Sequence, residues 1–308
     1  MLRRFSVSVS EAFGILSSRL RACQSVGESA HTEARVLLEH ACQQPFYSMP
    51  LASKVEDSTW NSCQDLCTLR CSGTPLAHIV GKKEFYSRQF KVTGDVLCPR
   101  PETECLVDLT LDCVKKFCDR PPLFVDVGTG SGCVLATLLL ELPGSAGIAI
   151  DKSAAALEVA LSNFSMHGVI DRCRLHNCDV LQPRWERVIL EDPRERERSI
   201  VIVSNPPYIP TAQIADLEPT VQSYEPRTAL DGGPDGLIFY RQLAHTELLH
   251  EFLCVVEYGA GQHSEVQKLF ETGGRQSVKV TDCTDLQGIR RASAFQFRAA
   301  RTMNAPEH

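Results

Sequence analysis

Long apolar runs are missing from this 308-residue chain. No stretch approaches the ~18 consecutive apolar residues of a membrane span, so no membrane partner is expected. Excess positive charge is missing too: 32 Lys and Arg stand against 38 Asp and Glu, a net charge of −6. Coating nucleic acid takes clustered Lys and Arg to neutralise phosphates. No direct stable nucleic-acid binding is therefore expected, beyond what one local basic patch could offer. No internal repeat marks a solenoid or propeller. No Gly-Lys-Ser or Gly-Lys-Thr follows the glycine-rich turn at 128–132, which excludes a phosphate-gripping loop.

What is present reads as an ordinary soluble chain, 43% apolar and 23% charged, long enough for two domains of about 150 residues each. Met1 to Ser10 carries Arg3, Arg4 and three serines without an acid, a mild likeness to an organelle transit segment. Ser8 or Ser10 equally well caps a helix whose apolar stripe (Ala12, Ile15, Leu16, Leu20) begins at once. A cytoplasmic setting is expected, with an organelle matrix as the alternative. Fourteen cysteines are many. Without a secretory signal they are expected to be reduced and to serve as small apolar groups. Cys63, Cys67 and Cys71 share one helical face, but no His or acid is placed to complete a metal site, and no metal is expected.

The apolar spacing predicts helices over residues 1–74, interrupted at Pro45 and Pro50. Residues 75–98 read as a β-hairpin linker, with turns at Gly81 and Gly94. From there to 302 strands and helices alternate, as in a doubly wound α/β sheet, before a short tail at 303–308. Strands are expected at 123–127, 147–151, 173–179, 199–205 and 252–258, with two more runs near 278–283 and 292–298. Helices are expected at 133–142, 153–167, 236–250 and 264–272. The mixed-charge stretch 191–198 reads as a solvated loop.

Two stretches carry chemistry. Asn205-Pro206-Pro207-Tyr208 follows the apolar run 199–204, at the carboxyl end of a buried strand, where open α/β sheets bind ligands. Prolines donate no backbone hydrogen bond and stiffen the turn. The Asn205 oxygen and the Pro206 carbonyl then form a rigid ledge of acceptors beside the Tyr208 ring, suited to a planar group bearing NH2. A plain proline-rich turn is the alternative. Asp126-Val-Gly-Thr-Gly-Ser-Gly132 lies between a strand and a helix, where glycines let the backbone approach a ligand. A dinucleotide fold wants Gly-x-Gly-x-x-Gly, and here the third glycine comes one residue early. Asp151 ends the next strand, where a carboxylate can accept from ribose hydroxyls. Asp179, with neighbouring Val180, ends the third, where an adenine edge can be met. Either acid alone could be a helix cap or a surface group; in register with the glycine turn they make a nucleoside site.

Asp126 to Gly132, Asp151 and Asp179 look like the S-adenosylmethionine site of Rossmann-like methyltransferases, and Asn205 to Tyr208 looks like the motif of their amino-group-modifying members. The stretches Pro75 to Tyr86, Val96 to Glu104 (with Pro99-Arg-Pro-Glu-Thr-Glu104), Tyr224-Glu-Pro-Arg-Thr-Ala-Leu230 and Val255-Val-Glu-Tyr-Gly259 strongly resemble the release-factor glutamine methyltransferase (HemK/PrmC) family. The resemblance spans about residues 8 to 299. It implies a Rossmann-like domain of seven strands, the last antiparallel, behind a small helical domain and a hairpin linker. It implies S-adenosylmethionine as cofactor, held by Gly128, Thr129, Gly130, Ser131, Gly132, Asp151, Asp179, Val180 and Asn205. It implies methyl transfer to the glutamine of the Gly-Gly-Gln motif in class I peptide-chain release factors. Asn205, Pro206 and Tyr208 would be catalytic, with Pro207, Arg100, Glu102 and Thr103 also touching substrate; Arg100 to Glu104 could instead be an ordinary salt-bridged helix start. Cys98 and the length of the 191–198 loop depart from the family pattern. Rival readings are a ribosomal-protein glutamine methyltransferase, an adenine or guanine methyltransferase on nucleic acid, and a cofactor-binding assembly factor without catalysis.

Overall fold

The Ser8 hydroxyl accepts from the Glu11 N–H at 3.2 Å, and the Glu11 carboxylate accepts from the Ser8 N–H at 2.9 Å. This reciprocal cap starts the first helix one residue later. The computed structural model describes residues 7–23, 26–248, 250–273, 277–285 and 287–298. Residues 1–6 of the leader-like stretch and the expected tail at 303–308 lie outside them. Two compact units, 1–82 and 83–308, divide the chain.

The first unit contains α1 (Val9–Arg21), α2 (Ala30–Cys42), α3 (Asp57–Cys71) and the short α4 (Leu76–Val80). Ala12, Leu16 and Leu20 form a buried row four residues apart that meets Leu37, Leu38 and Cys63. Ile15, expected in the same stripe, lies one step round the helix and is 42% exposed. A buried Glu33–Arg70 ion pair at 2.6 Å joins α2 to α3. Cys63 and Cys67 are buried free thiols, and burial pushes Cys63 up to about 12. The expectation of uniformly reduced cysteines fails at Cys23 and Cys71, which form a disulfide. The chain leaving α1 meets the end of α3, bringing their Cα atoms to 5.6 Å, within bridging range. The linker also departs from expectation. Its first residues form α4, begun after Pro75 and ended by Gly81 in the left-handed region, before the hairpin β1 (Lys82–Phe85) and β2 (Arg88–Lys91). Tyr86 and Ser87, at φ 51° and 58°, supply a turn whose twist matches paired strands.

The second unit continues through α5 (Glu104–Phe117), β3 (Pro122–Val127), α6 (Cys133–Glu141), β4 (Ala146–Asp151), α7 (Ala154–Met166) and β5 (Cys173–Asn177). Then come α8 (Arg187–Leu190), β6 (Ser199–Ser204), α9 (Pro219–Tyr224), α10 (Ile238–Ala244), β7 (Phe252–Glu257), α11 (His263–Thr272), β8 (Ser277–Thr284) and β9 (Arg290–Phe297). The seven-stranded sheet runs β5-β4-β3-β6-β7-β9-β8; only β9 opposes its neighbours. Alternate residues feed two cores. Phe124, Val201, Val203 and Val255 pack with α5, α6 and α7, whereas Val125, Ile148, Ile202 and Cys254 pack with α10 and α11. From β3 the chain winds outward to β5, then returns to the other side of β3 as β6. The carboxyl ends of β3 and β6 therefore flank the switch point where such sheets bind ligands.

Three expectations need correction. The 236–250 helix is shorter, with α10 ending at Ala244. β5 stops at Asn177, so Asp179 lies two residues beyond it. The 191–198 stretch is no solvated loop: Asp192 and Glu195 are buried. Arg194 donates to Asp192, to the Arg172 carbonyl at 2.9 Å and to the Gly147 carbonyl at 3.2 Å. Arg198 donates to the Pro122 and Gly144 carbonyls. Alternating charges here cap carbonyls at the amino-terminal edge of the sheet, opposite the switch point.

Candidate active site

β3 ends in a turn that keeps pairing with β4: the Gly128 and Thr129 N–H groups donate to the Ile150 carbonyl at 2.8 and 3.0 Å. Gly128, Gly130 and Gly132 all have positive φ. A Cβ at Gly128 would meet nothing within 4 Å, and one at Gly130 only the Gly128 oxygen at 4.0 Å, so this backbone borders open volume. Gly132 differs. A Cβ there would stand 2.7 Å from the Phe164 ring, so this glycine serves helix packing and does not line the cavity. Asp151 ends β4 and is fixed by two backbone donors, Gly130 to Oδ2 and Ser153 to Oδ1, both at 2.9 Å. Burial raises its carboxyl pKa against those bonds. Behind the turn, Asp126 is buried and pushed up to about 7 by desolvation, which the Thr129 hydroxyl, donating at 2.7 Å, opposes.

β6 ends beside β3, tied to it by the Ser204 hydroxyl donating to the Val127 carbonyl at 2.7 Å. Asn205 follows at once. Its Nδ2 donates to Thr103 Oγ1 at 3.1 Å, while its Oδ1 is buried without a hydrogen-bond partner. An orphaned buried acceptor costs free energy unless something fills it. The segment after it is stitched down: Ile209 N–H donates to the Leu230 carbonyl and Gly232 N–H to the Ile209 carbonyl. At Gly236, φ is 78° and a Cβ would come 2.3 Å from the Tyr208 carbonyl oxygen, so only glycine lets these chains meet.

One cavity, about 1020 Å³ with the open solvent at its mouth included, joins these parts. Gly128, Thr129, Gly130, Ser131, Asp151, Asp179, Val180, Asn205, Pro206 and Pro207 line it, as do Arg100 and Thr103. Gly132, Glu102 and Tyr208 do not. The Tyr208 ring, expected beside the ledge, lies against Gly259, and its carbonyl accepts from Gln262 Nε2 at 2.9 Å. The Arg100 guanidinium is paired: Nη2 donates to both oxygens of Glu225 at 2.7 and 2.8 Å, stapling the 99–104 loop to the 224–230 loop. Glu225 and Glu257 lie in stretches that carry the resemblance, but neither was assigned a role of its own from the sequence; Glu257 is an acid closing the otherwise apolar strand β7. That acid in an apolar run was the available signal. Burial pushes Glu257 up to about 7; the Thr103 hydroxyl, Arg291 and Asn205 oppose the shift, and Glu102 adds to it.

A glycine turn facing open volume and a carboxylate held by backbone donors, with Asn205 lining the same cavity, fit a nucleoside. Among the described residues, no helix is long and apolar enough to cross a membrane. The family model described as the PrmC N-terminal domain matches residues 11–81. The release factor glutamine methyltransferase of Bradyrhizobium diazoefficiens is 34% identical over 291 residues, covering 92% of this chain and 93% of that protein. The enzyme of the same name from Caulobacter vibrioides is 40% identical over 220 residues, covering 70% and 71%. Among solved structures, the hMettl16 catalytic domain in complex with MAT2A 3′UTR hairpin 6 matches with a TM-score of 0.52 at 15% identity, over 79% of this chain and 84% of that one. That likeness concerns the fold alone.

Proposed function

The chain belongs to the release factor glutamine methyltransferase family, and from that premise we propose that it methylates the side-chain amide nitrogen of the Gly-Gly-Gln glutamine in class I peptide-chain release factors. What carries the reading is Asn205, which lines one cavity with the glycine turn and Asp151 and whose buried Oδ1 has no hydrogen-bond partner.

Gly128 to Ser131 and Asp151 would hold the donor, with Asp179 and Val180 at its base. Bound there, S-adenosylmethionine supplies an electrophilic methyl group on a sulfonium. An amide nitrogen is a weak nucleophile because its lone pair is delocalised into the carbonyl. Asn205 Oδ1 and the Pro206 carbonyl accept its two N–H hydrogens and aim the lone pair, and positioning of this kind contributes several kcal/mol (up to roughly 7–11 for a well-oriented pair). The same acceptors stabilise positive charge growing on nitrogen. Once alkylated, that nitrogen is acidic enough to release a proton to these acceptors or to water. The Arg100–Glu225 staple holds the loop bearing Thr103 against the 224–230 loop.

The test is transfer of labelled methyl to purified release factor and to a Gly-Gly-Ala variant, with wild-type enzyme beside Asn205→Ala. Label is expected only on the glutamine-bearing factor, and Asn205→Ala is expected to lose at least 100-fold in kcat (on the order of 3 kcal/mol) at saturating cofactor. Label on the Gly-Gly-Ala factor would overturn the substrate assignment. Near-normal turnover by Asn205→Ala would overturn the chemistry.

A further inference from the structure

Asparagine is a poor helix former, and an amide taken out of water costs free energy unless its hydrogen bonds are replaced. Asn163 nonetheless lies within α7 and is 0% exposed. Its side chain bonds outside the helix three times. Oδ1 accepts from the Lys91 N–H at 2.8 Å, and Nδ2 donates to the Lys91 carbonyl at 3.0 Å and to the Ser131 carbonyl at 2.8 Å. Both amide hydrogens are thereby used. Lys91 closes β2 and Ser131 belongs to the glycine turn, so one buried amide joins the linker hairpin to the wall of the cavity. We propose that Asn163 is a positioning residue for the methyl donor, locking the glycine turn to the hairpin so that the place of one sets the place of the other. This rests on the cavity holding the nucleoside of that donor.

The turn needs such anchors. Gly128, Gly130 and Gly132 bring no side chains to brace it, so neighbouring groups decide where its backbone sits. On β4, the Ile150 carbonyl takes the Gly128 and Thr129 N–H groups, and the Asp151 carboxylate takes that of Gly130. On α7, Asn163 takes the Ser131 carbonyl, and the next residue, Gly132, comes too close to Phe164 and Ala160 for a Cβ to fit. Ser131 is 3% exposed yet lines the cavity with Gly128, Thr129 and Gly130. A shift of its carbonyl therefore moves the surface that the donor meets.

The hairpin is braced on the same helix. Lys91 exchanges both of its backbone bonds with the Asn163 amide, as it would with a residue of a neighbouring strand. At the C-cap of α7, His167 Nε2 stands 2.9 Å from the Gln89 carbonyl oxygen, and its ring centre lies 4.6 Å from that of Phe90. His167 does not line the cavity. A disturbance there moves the hairpin first, and it reaches the glycine turn through Asn163. β1 begins at Lys82, where the two compact units divide, so strain in the linker is felt in donor affinity.

The experiment titrates the full chain with S-adenosylhomocysteine in a calorimeter, beside urea unfolding without ligand. Asn163→Leu is similar in size and removes all three bonds, while Asn163→Asp keeps the acceptor and, ionised, has no donor. Each is expected to raise Kd about 10-fold. His167→Ala should raise it about threefold in the wild-type background and add almost nothing to Asn163→Leu. Phe270→Leu, in the core under α11 and outside the cavity lining, should lose stability in urea and keep Kd within about twofold, which separates positioning from general loosening. An Asn163 variant that folds and binds within about twofold of wild type would overturn the inference. So would a His167→Ala effect of equal size with and without Asn163. Should Asn163→Leu not fold, Asn163→Asp carries the same cycle. A wild-type chain that bound no S-adenosylhomocysteine would overturn the reading of the cavity, and this inference with it.

Discussion

A methyl group at position 132 has nowhere to go. An added Cβ would lie 2.7 and 2.9 Å from two carbons of the Phe164 ring and 3.1 Å from Ala160 Cβ, at a φ of 76°. The left-handed backbone alone costs a non-glycine residue roughly 1 kcal/mol, and overpacking adds about 1–3 kcal/mol. Gly132→Ala should therefore lose about 2–4 kcal/mol in urea unfolding, with kcat affected little at temperatures where the fold survives. A loss below about 1 kcal/mol would mean that α7 shifts freely. Some residues announced their place in the sequence and some did not. Asn205 was legible because a polar residue closing an apolar strand of a doubly wound sheet sits at its ligand edge. Gly132 looked like its neighbours in the turn, since sequence does not reveal that Phe164 lies under it. The Tyr208 ring was misplaced because Gly259 and Gln262, about fifty residues later, decide where it packs.

Among the elements, strands were the most legible. Runs such as Ile200 to Val203 are buried on both faces and carry no polar residue, so their length and ends follow from composition. Charge-rich elements were not legible in this way, because alternating signs suit both a solvated loop and a set of caps. The 191–198 segment is the second kind. Arg194 satisfies two backbone carbonyls and pairs with Asp192, whose side chain is 1% exposed. Hydrogen bonds from Arg194, its charge and that of Arg174 hold the Asp192 carboxyl below its ordinary pKa against desolvation. A lowered folded-state value stabilises the protein above the unfolded-state value and is lost as pH falls through the folded one. Arg194→Ala would leave Asp192 buried with only the backbone N–H of residue 194 and Arg174, 3.6 Å away. The expected loss is about 2–4 kcal/mol at neutral pH, shrinking as pH falls through the lowered folded-state pKa of Asp192. Because the segment caps the edge opposite the cavity, kcat should stay within about twofold. A large fall in kcat without loss of stability would show that this edge communicates with the site.

At the scale of the whole molecule, the two units each enclose their own hydrophobic core, the first built on α1, α2 and α3 and the second on the sheet. The cavity and its lining residues, from Asp95 to Phe239, belong to the second unit alone. Chemistry and donor binding are therefore expected to need nothing from residues 1–81. A release factor presents far more surface than one glutamine, and affinity for it needs contacts that the cavity does not offer. The first unit is the available source, and it carries exposed apolar side chains, Tyr47 at 89% and Leu51 at 56%. A chain beginning at Lys82 preserves β1 and the entire second core. It should methylate a short Gly-Gly-Gln peptide with kcat and KM within about threefold of the full chain. For intact release factor its KM should rise at least tenfold, about 1.4 kcal/mol of lost binding. The difference between the two substrates is the decisive quantity, since a damaged catalytic unit would lose both alike. If the KM for intact factor were unchanged, recognition would lie within the second unit, and the helical unit would need another purpose.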